Sequence, residues 1–408
     1  MTIRRIVVVA IAASIAIESS GGQQPVATAS CDGAPSEPVS FIDVPSNPFQ
    51  ALPSADGCWV FVSMPGGPSR GSSKIGVLRR GGGSLHLERV ISIDGNPTGM
   101  VLTHDGQVLI VADGPRIAFI DVDRLTRARG DAVLGYLDEP GPLGRIYANV
   151  TRDDKTLFVA DENAQTISVI DLAKVRASRF RASEMVGKIP TGTAPIALTF
   201  SPDEKTLYTT SQAAPKALNW AIECKREGAA ADTTPANPQG AILVIDVARA
   251  QTDPSHSVIG AVPAGCSPVR LVLSPSGDRA YVTARNSNAL LVFDRAKLTS
   301  DPAHARIGSV AVGTAPVGVA VVDSGRKVVV TNSNRFAGSS NDRQTLTVID
   351  ATKIGSGENA ILGSIPAGAF PREMRVTFDG TTLIVTNFAS SSIETIDLTR
   401  LPLTPPKP

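Results

Sequence analysis

The sequence predicts an all-β, seven-bladed β-propeller closed by an N-terminal strand that joins the C-terminal blade. Three observations carry the prediction. A phrase made of Pro, an apolar run, Asp-Gly-like turn residues and a Val-rich run keeps returning along the 408 residues. A second phrase, Val-Ile-Asp or a close variant, accompanies it, as in Val244-Ile245-Asp246 and Val348-Ile349-Asp350. Undisturbed copies lie about 48 residues apart, as Asp246 and Asp294 do, which is room for four strands and their turns. A repeated unit that cannot bury its own apolar face must stack on its neighbours.

Each unit reads as strand A after the Pro, a tight turn, strand B, a polar loop, strand C ending in Asp, and strand D. Period-two apolar alternation between turn residues is a β signature rather than a helical one. Seven turns mark seven blades: Asp56-Gly57, Asp105-Gly106, Asp153-Asp154, Asp203-Glu204, Ser276-Gly277, Ser324-Gly325 and Asp379-Gly380. Strand C ends in Asp121, Asp171, Asp246, Asp294, Asp350 and Asp397 in six copies. A repeated acidic residue invites a catalytic reading, but a repeated position has a building role, here capping the turn after the strand.

Residues 39–44, Val-Ser-Phe-Ile-Asp-Val, read as a lone strand D ahead of the first copy, while little chain follows Asp397. That strand is expected to complete the last blade, and closure removes exposed sheet edges. The propeller is then expected over residues 31–401, with an insertion at 212–239 in blade 4. The Pro-rich tail 402–408 should be extended and loosely held.

Tyr281-Val282-Thr283-Ala284, Val329-Val330-Thr331-Asn332 and Ile384-Val385-Thr386-Asn387 resemble a Tyr-Val-Thr-Asn motif. The Gly-x-x-Pro phrases at 192–195, 265–268, 313–316 and 368–371 match the same repeat. Over about residues 39–400 the chain thus resembles the YVTN-repeat, YncE-like propellers, a surface or periplasmic family. The resemblance implies the fold and no shared catalytic signature, because the motif residues are scaffold. Blade 3 departs from it with Gly144-Arg145 in place of a final Pro, and blade 1 with Val77-Leu78-Arg79 in place of Val-Ile-Asp.

The first residues read as an export leader. Arg4 and Arg5 precede an apolar stretch over 6–17, too short to span a bilayer and of the length of a signal-peptide core. A leader of about residues 1–30 is expected, with cleavage after Ala29, and the mature protein is expected to be secreted, periplasmic or at the cell surface. A lipid-bearing Cys31 is disfavoured by Thr28, which stands where a large apolar residue is expected. No later segment is apolar enough to cross a membrane.

Four cysteines in an exported chain imply two disulfides among three connectivities. In a blade, the D-to-A and B-to-C loops share one face, and the A-to-B and C-to-D loops the other. Cys224, in the B-to-C insertion, and Cys266, in the next D-to-A loop, share the first face. Cys31 and Cys58 share the second, so the expected pairs are Cys31–Cys58 and Cys224–Cys266. No Cys-x-x-Cys or Cys/His spacing supports a metal site, and no Cys-x-x-Cys-His haem attachment is present.

The charge balance, 39 basic against 38 acidic residues, implies no general attraction to nucleic acid or an anionic membrane. Strand A brings one residue per blade towards the axis, two places after the Pro: Gln50, Gly99, Tyr147, Ala197, Arg270, Gly318 and Glu373. Polar residues that break a repeat are the best site candidates, so Gln50, Tyr147, Arg270 and Glu373 stand out, with Arg145 and Arg372 nearby in register. An Arg270–Glu373 ion pair or a water-filled channel is the plainer reading. Trp220, in the insertion, is either an exposed anchor or the apolar plug beneath it. The four histidines are scattered over edges and turns, and no Ser-His-Asp set assembles from them.

The expected function is an exported, non-catalytic binding or scaffold propeller that presents its insertion-bearing face to a protein, glycan or small ligand. No cofactor is expected, and the chain is expected to be a monomer. The alternative is a lactonase-like hydrolase or isomerase using Arg270, Glu373 and Tyr147 at the channel mouth, since related seven-bladed folds host such enzymes. Convergence of an Arg and a carboxylate on one cavity favours chemistry; a flat or plugged mouth favours binding.

Overall fold

The computed structural model describes residues 31–405 apart from 32, 67–71, 82, 140, 142, 227–233 and 336–343. The expected leader, with its cleavage point after Ala29, and the tail end 406–408 lie outside the described residues. Cys31 onward forms one compact unit.

Seven antiparallel sheets form the seven blades. Blade 5 is the plain case: strands Pro268–Leu273, Arg279–Ala284, Ala289–Asp294 and Arg306–Ala311 pair in chain order. The other innermost strands are Gln50–Pro53, Pro97–Leu102, Arg145–Val150, a split pair Thr193–Pro195 and Thr199–Phe200, Pro316–Val322 and Pro371–Val376. Blade 7 is completed by the first strand of the described chain. Val39–Asp43 pairs with Ser392–Asp397, so the ring closes as the sequence predicts.

Apolar residues facing neighbouring blades build the core. Ile110 and Phe119 of blade 2, for example, pack with Ala148, Val159 and Ile170 of blade 3. With few aromatics to use, the chain fills these layers mainly with Val, Ile, Leu and Ala, all close to fully buried.

The repeated aspartates are caps. Asp121, Asp171 and Asp246 accept hydrogen bonds from the backbone N–H groups of Arg124, Lys174 and Arg249 in the short helices that follow. Asp294, Asp350 and Asp397 accept from Ala296, Thr352 and Thr399 in the same way. The A-to-B turns repeat as closely: Thr103, Thr151, Ser201 and Thr377 each donate to the Asp two residues on, at 2.6–2.7 Å. The next residue has positive φ, which Gly106 and Gly380 adopt without strain. Asp154 and Glu204 hold that conformation too, at φ 55° and 56°. Their carboxylates instead clasp the backbone of the preceding blade's turn at His104, Asp105 and Arg152.

The Thr of the repeat motif has a defined task. After its first residue the inner strand bulges: the next two residues leave the ladder in blades 2, 5 and 6, and one of them does in blades 3 and 7. The N–H of the second is taken by the strand-B hydroxyl: Arg270 by Thr283, Glu373 by Thr386, Ala197 by Thr210 and Gly318 by Thr331. Thr210, Thr283 and Thr386 donate onward to the carbonyls of Val269, Val317 and Phe49 in the next blade. One hydroxyl therefore satisfies a bulged N–H and stitches two blades together. Blades 2 and 3 carry Ala112 and Ala160 there, and Thr98 takes over by donating to Ala112 and Arg145.

The structure pairs Cys31 with Cys58 and Cys224 with Cys266. The described part of the insertion forms a hairpin of Ile222–Lys225 with Pro235–Pro238, pinned by the second bond to the entry of blade 5. The tail departs from the loose extension expected of it. Thr404 exchanges two backbone hydrogen bonds with Ser364 on the outer strand of blade 6, and Leu401 and Leu403 pack beside that blade's core.

Candidate functional site

Two consecutive residues at or just before the start of each inner strand, Phe49 and Gln50 in blade 1 and Arg372 and Glu373 in blade 7 for example, form two layers around the axis. The first layer is mainly apolar: Phe49, Ile146, Ile196, Val269 and Val317 belong to one buried cluster, joined from the loops by Phe370 and Phe388, and the buried Thr98 fills the place of blade 2. Arg372 occupies the seventh blade's place in this layer. Its guanidinium lies 3.8 Å from the Phe49 ring centroid and 5.7–5.8 Å from those of Phe370 and Phe388. This layer plugs the channel below the insertion-bearing face.

The second layer holds four of the sequence candidates. Arg270 donates from Nε to Glu373 Oε2 at 2.7 Å, and its Nη2 lies 2.6 Å from the same oxygen, close as an ion pair but off the line of a hydrogen bond. Tyr147 donates to that oxygen at 3.3 Å from across the axis, and the Arg270 guanidinium covers the Tyr147 ring at 3.9 Å. Gly99 clears space for that ring; a Cβ there would sit 2.6 Å from it. Gln50 accepts from the Met100 N–H of the neighbouring blade.

Burial pushes Arg270 down to about 10, against the favourable charge of Glu373, so it stays cationic at neutral pH. Burial also works against the ionised form of Glu373, but the charges of Arg270, Arg375 and Arg372 outweigh it and hold this carboxyl below its ordinary value. Glu373 is therefore a buried anion surrounded by guanidinia.

Arg375 is the residue that sequence reasoning missed. Its Nη1 lies 2.8 Å from Glu373 Oε1. The signal was present: two positions beyond Glu373 on a strand of period two, it faces the same side. Glu162 is a second omission as an individual residue. In the B-to-C loop of blade 3, burial raises its carboxyl although Arg372, Arg285 and Arg335 favour the charged form.

The remaining candidates have structural surroundings. Arg145 is buried and pairs with Glu139 at 2.6 Å, beside Lys188, at the seam of blades 2 and 3. Trp220 is half-buried under the insertion against Ala214, Ala241 and Leu243, which is the plug rather than an exposed anchor.

On the turn side of the plug, the channel opens into a cavity of about 250 Å³ lined by Arg270, Glu373, Arg375 and Tyr147 together with inner-strand apolar side chains. Among the described residues no group of His, Cys, Asp and Glu has the arrangement of a metal site. No helix among them is long and apolar enough to cross a membrane.

Fold and channel together define a seven-bladed β-propeller with a plugged axis and a charged inner layer. Among solved structures the chain is similar in fold to the Kuenenia stuttgartiensis hydrazine synthase, with a TM-score of 0.63 and 16% identity over 87% of this chain and 96% of that one. At that identity the likeness is one of fold. No protein-family model matches the chain, and no curated protein matches it.

Proposed function

We propose that the chain is an exported, non-catalytic binding or scaffold propeller of the YVTN-repeat kind, and that its insertion-bearing face is the contact surface. The observation that carries this reading is the pinned hairpin. The described part of the insertion, Ile222–Lys225 paired with Pro235–Pro238, is tied down by Cys224–Cys266 and by Asn286, which donates to the Lys225 carbonyl, beside a mouth that the apolar layer plugs. A surface ordered before it meets a ligand loses less freedom on binding. Ile222, 62% exposed on that hairpin, offers an apolar contact. Two disulfides fit an oxidising compartment and support the leader reading of residues 1–30.

The hydrolase or isomerase alternative draws on the convergence of Arg270, Glu373 and Tyr147 on one cavity. The electrostatics disfavour it. A carboxylate held ionised by several guanidinia is a weak base at neutral pH and an inaccessible acid.

The test is an unbiased ligand screen of the oxidised protein, repeated after residues 215–238 are replaced by a short Gly-Ser link with Cys266→Ser. The reading predicts that capture is lost while the thermal transition of the ring is kept. Undiminished capture by the shortened protein refutes the insertion as the contact surface.

A further inference from the structure

We infer that the axial cavity is a binding site for a small organic carboxylate, with its head group at Arg270 and Arg375 and its apolar body along the inner strands. This site lies on the turn side of the plug and does not depend on the insertion. Three observations lead to it.

The first is charge. Two guanidinia stand within ion-pair distance of the single carboxylate of Glu373, and the positive charge of Arg372 also reaches that carboxylate. One anion does not neutralise both guanidinia; Arg270 is buried and Arg375 half-exposed at the cavity, so a further anion there would complete the set.

The second is an unused donor. Arg270 is only 6% exposed, yet its Nη1 is buried without a hydrogen-bond partner among the described residues. In the same layer Gln50 Nε2 is in the same condition. Buried donors left in this state are rare in folded proteins, and they mark places where a polar group belongs. A guanidinium fork suits the two oxygens of a carboxylate in particular.

The third is the wall. Away from the charged end the cavity is bounded by Met100, Leu198, Leu271 and Met374, which offer an entering group no charge. At about 250 Å³ the space lies just under the ~300–1,000 Å³ of pockets for drug-sized ligands, so the occupant is small. An acid with a short carbon chain matches both ends; an ammonium ion matches neither the charge nor the donors.

Met100 and Met374 also supply the readout. The protein carrying ¹³C-methyl methionine is titrated with butyrate and hexanoate, and in parallel with 1-butanol and butylammonium at matched ionic strength. Saturable shifts of the Met100 and Met374 methyls with the carboxylates alone are expected. The methyls of Met64 and Met185, which pack in blade cores, should stay silent. Arg375→Gln, at a half-exposed side chain, should weaken the response about tenfold or more while the thermal transition is retained. Arg270→Gln should do the same. If that variant fails to fold, the Arg375→Gln arm decides. Equal responses to carboxylate and alcohol, shifts at Met64 or Met185 instead, or an undiminished response in Arg375→Gln overturn the inference. So does the absence of any saturable shift, which would leave a water-filled channel.

Discussion

Glu373 and Asp113 are both buried carboxylates on blade strands, 1% and 0% exposed, and they titrate in opposite directions. Asp113 ends strand Val108–Asp113 of blade 2, with Arg116 Nε at 3.2 Å and the charge of Asp94 nearby. Burial pushes it up to about 6, more than that one guanidinium offsets. Glu373 is held low because Arg270, Arg375 and Arg372 all act on it. Burial alone therefore marks neither residue as special. The surplus of cations around Glu373 separates a candidate site from a buried polar group at a strand end.

The sharpest way to break this comparison is to remove the Glu373 charge. Glu373→Gln leaves Arg270 buried without its counter-charge and should cost ~3–5 kcal/mol in urea unfolding. The paired replacement Arg270→Met with Glu373→Met removes both charges and should be near neutral or stabilising by ~1–4 kcal/mol. A double variant as unstable as Glu373→Gln would show that shape rather than charge dominates the layer. Replacing Cys224 and Cys266 together by Ser should cost ~2–4 kcal/mol and loosen the insertion, with little change in the axial layer. Thr283→Val keeps the shape but strips the hydroxyl that serves Arg270 N–H and the Val317 carbonyl, and should cost ~1–3 kcal/mol.

The smallest effect is a pH dependence with a defined sign. With a pKa of about 6 in the fold against an ordinary 3.8, Asp113 keeps a proton that the unfolded chain gives up. Its contribution to stability is present below about pH 3.8 and is lost as pH rises through about 6. Glu373 works the other way: its contribution is in place above the ordinary carboxylate pKa and is lost as pH falls through its lowered folded value. Glu162, also raised, adds a slope of the same sign as Asp113, so the comparison must be with a variant. Asp113→Asn should flatten the decline between pH 4 and 6 and stabilise the protein by ~1 kcal/mol at neutral pH. An unchanged profile would mean that Asp113 titrates alike in the folded and unfolded chain.

Architecture was legible because repetition encodes it. Seven turns, six capping aspartates and a spare strand at residues 39–44 predict the ring, its closure and both cysteine pairs. The axial layer was legible in part. Gln50, Tyr147, Arg270 and Glu373 stand out because they break a repeated position, yet nothing in the spacing reveals the bulge that puts Arg372 and Glu373 in different layers. The motif Thr carries no sign of its task in the sequence, because that task depends on an irregularity of its own inner strand and on the carbonyl of the adjoining blade, neither of which the repeat spells out. Arg145 sat in register with the channel, but Glu139, held out of view in a loop, turns it to a seam.

The strand that completes blade 7 is made before every other strand of the ring and used last. Val39–Asp43 meets Ser392–Asp397 only after nearly the whole polypeptide has been synthesised. A nascent chain thus carries an unpaired hydrogen-bonding edge on its first strand until the final blade emerges, a period in which misassembly is favoured. Moving the termini by circular permutation into the loop between blades 5 and 6 would shift that seam and let the present first strand fold within its own hairpin.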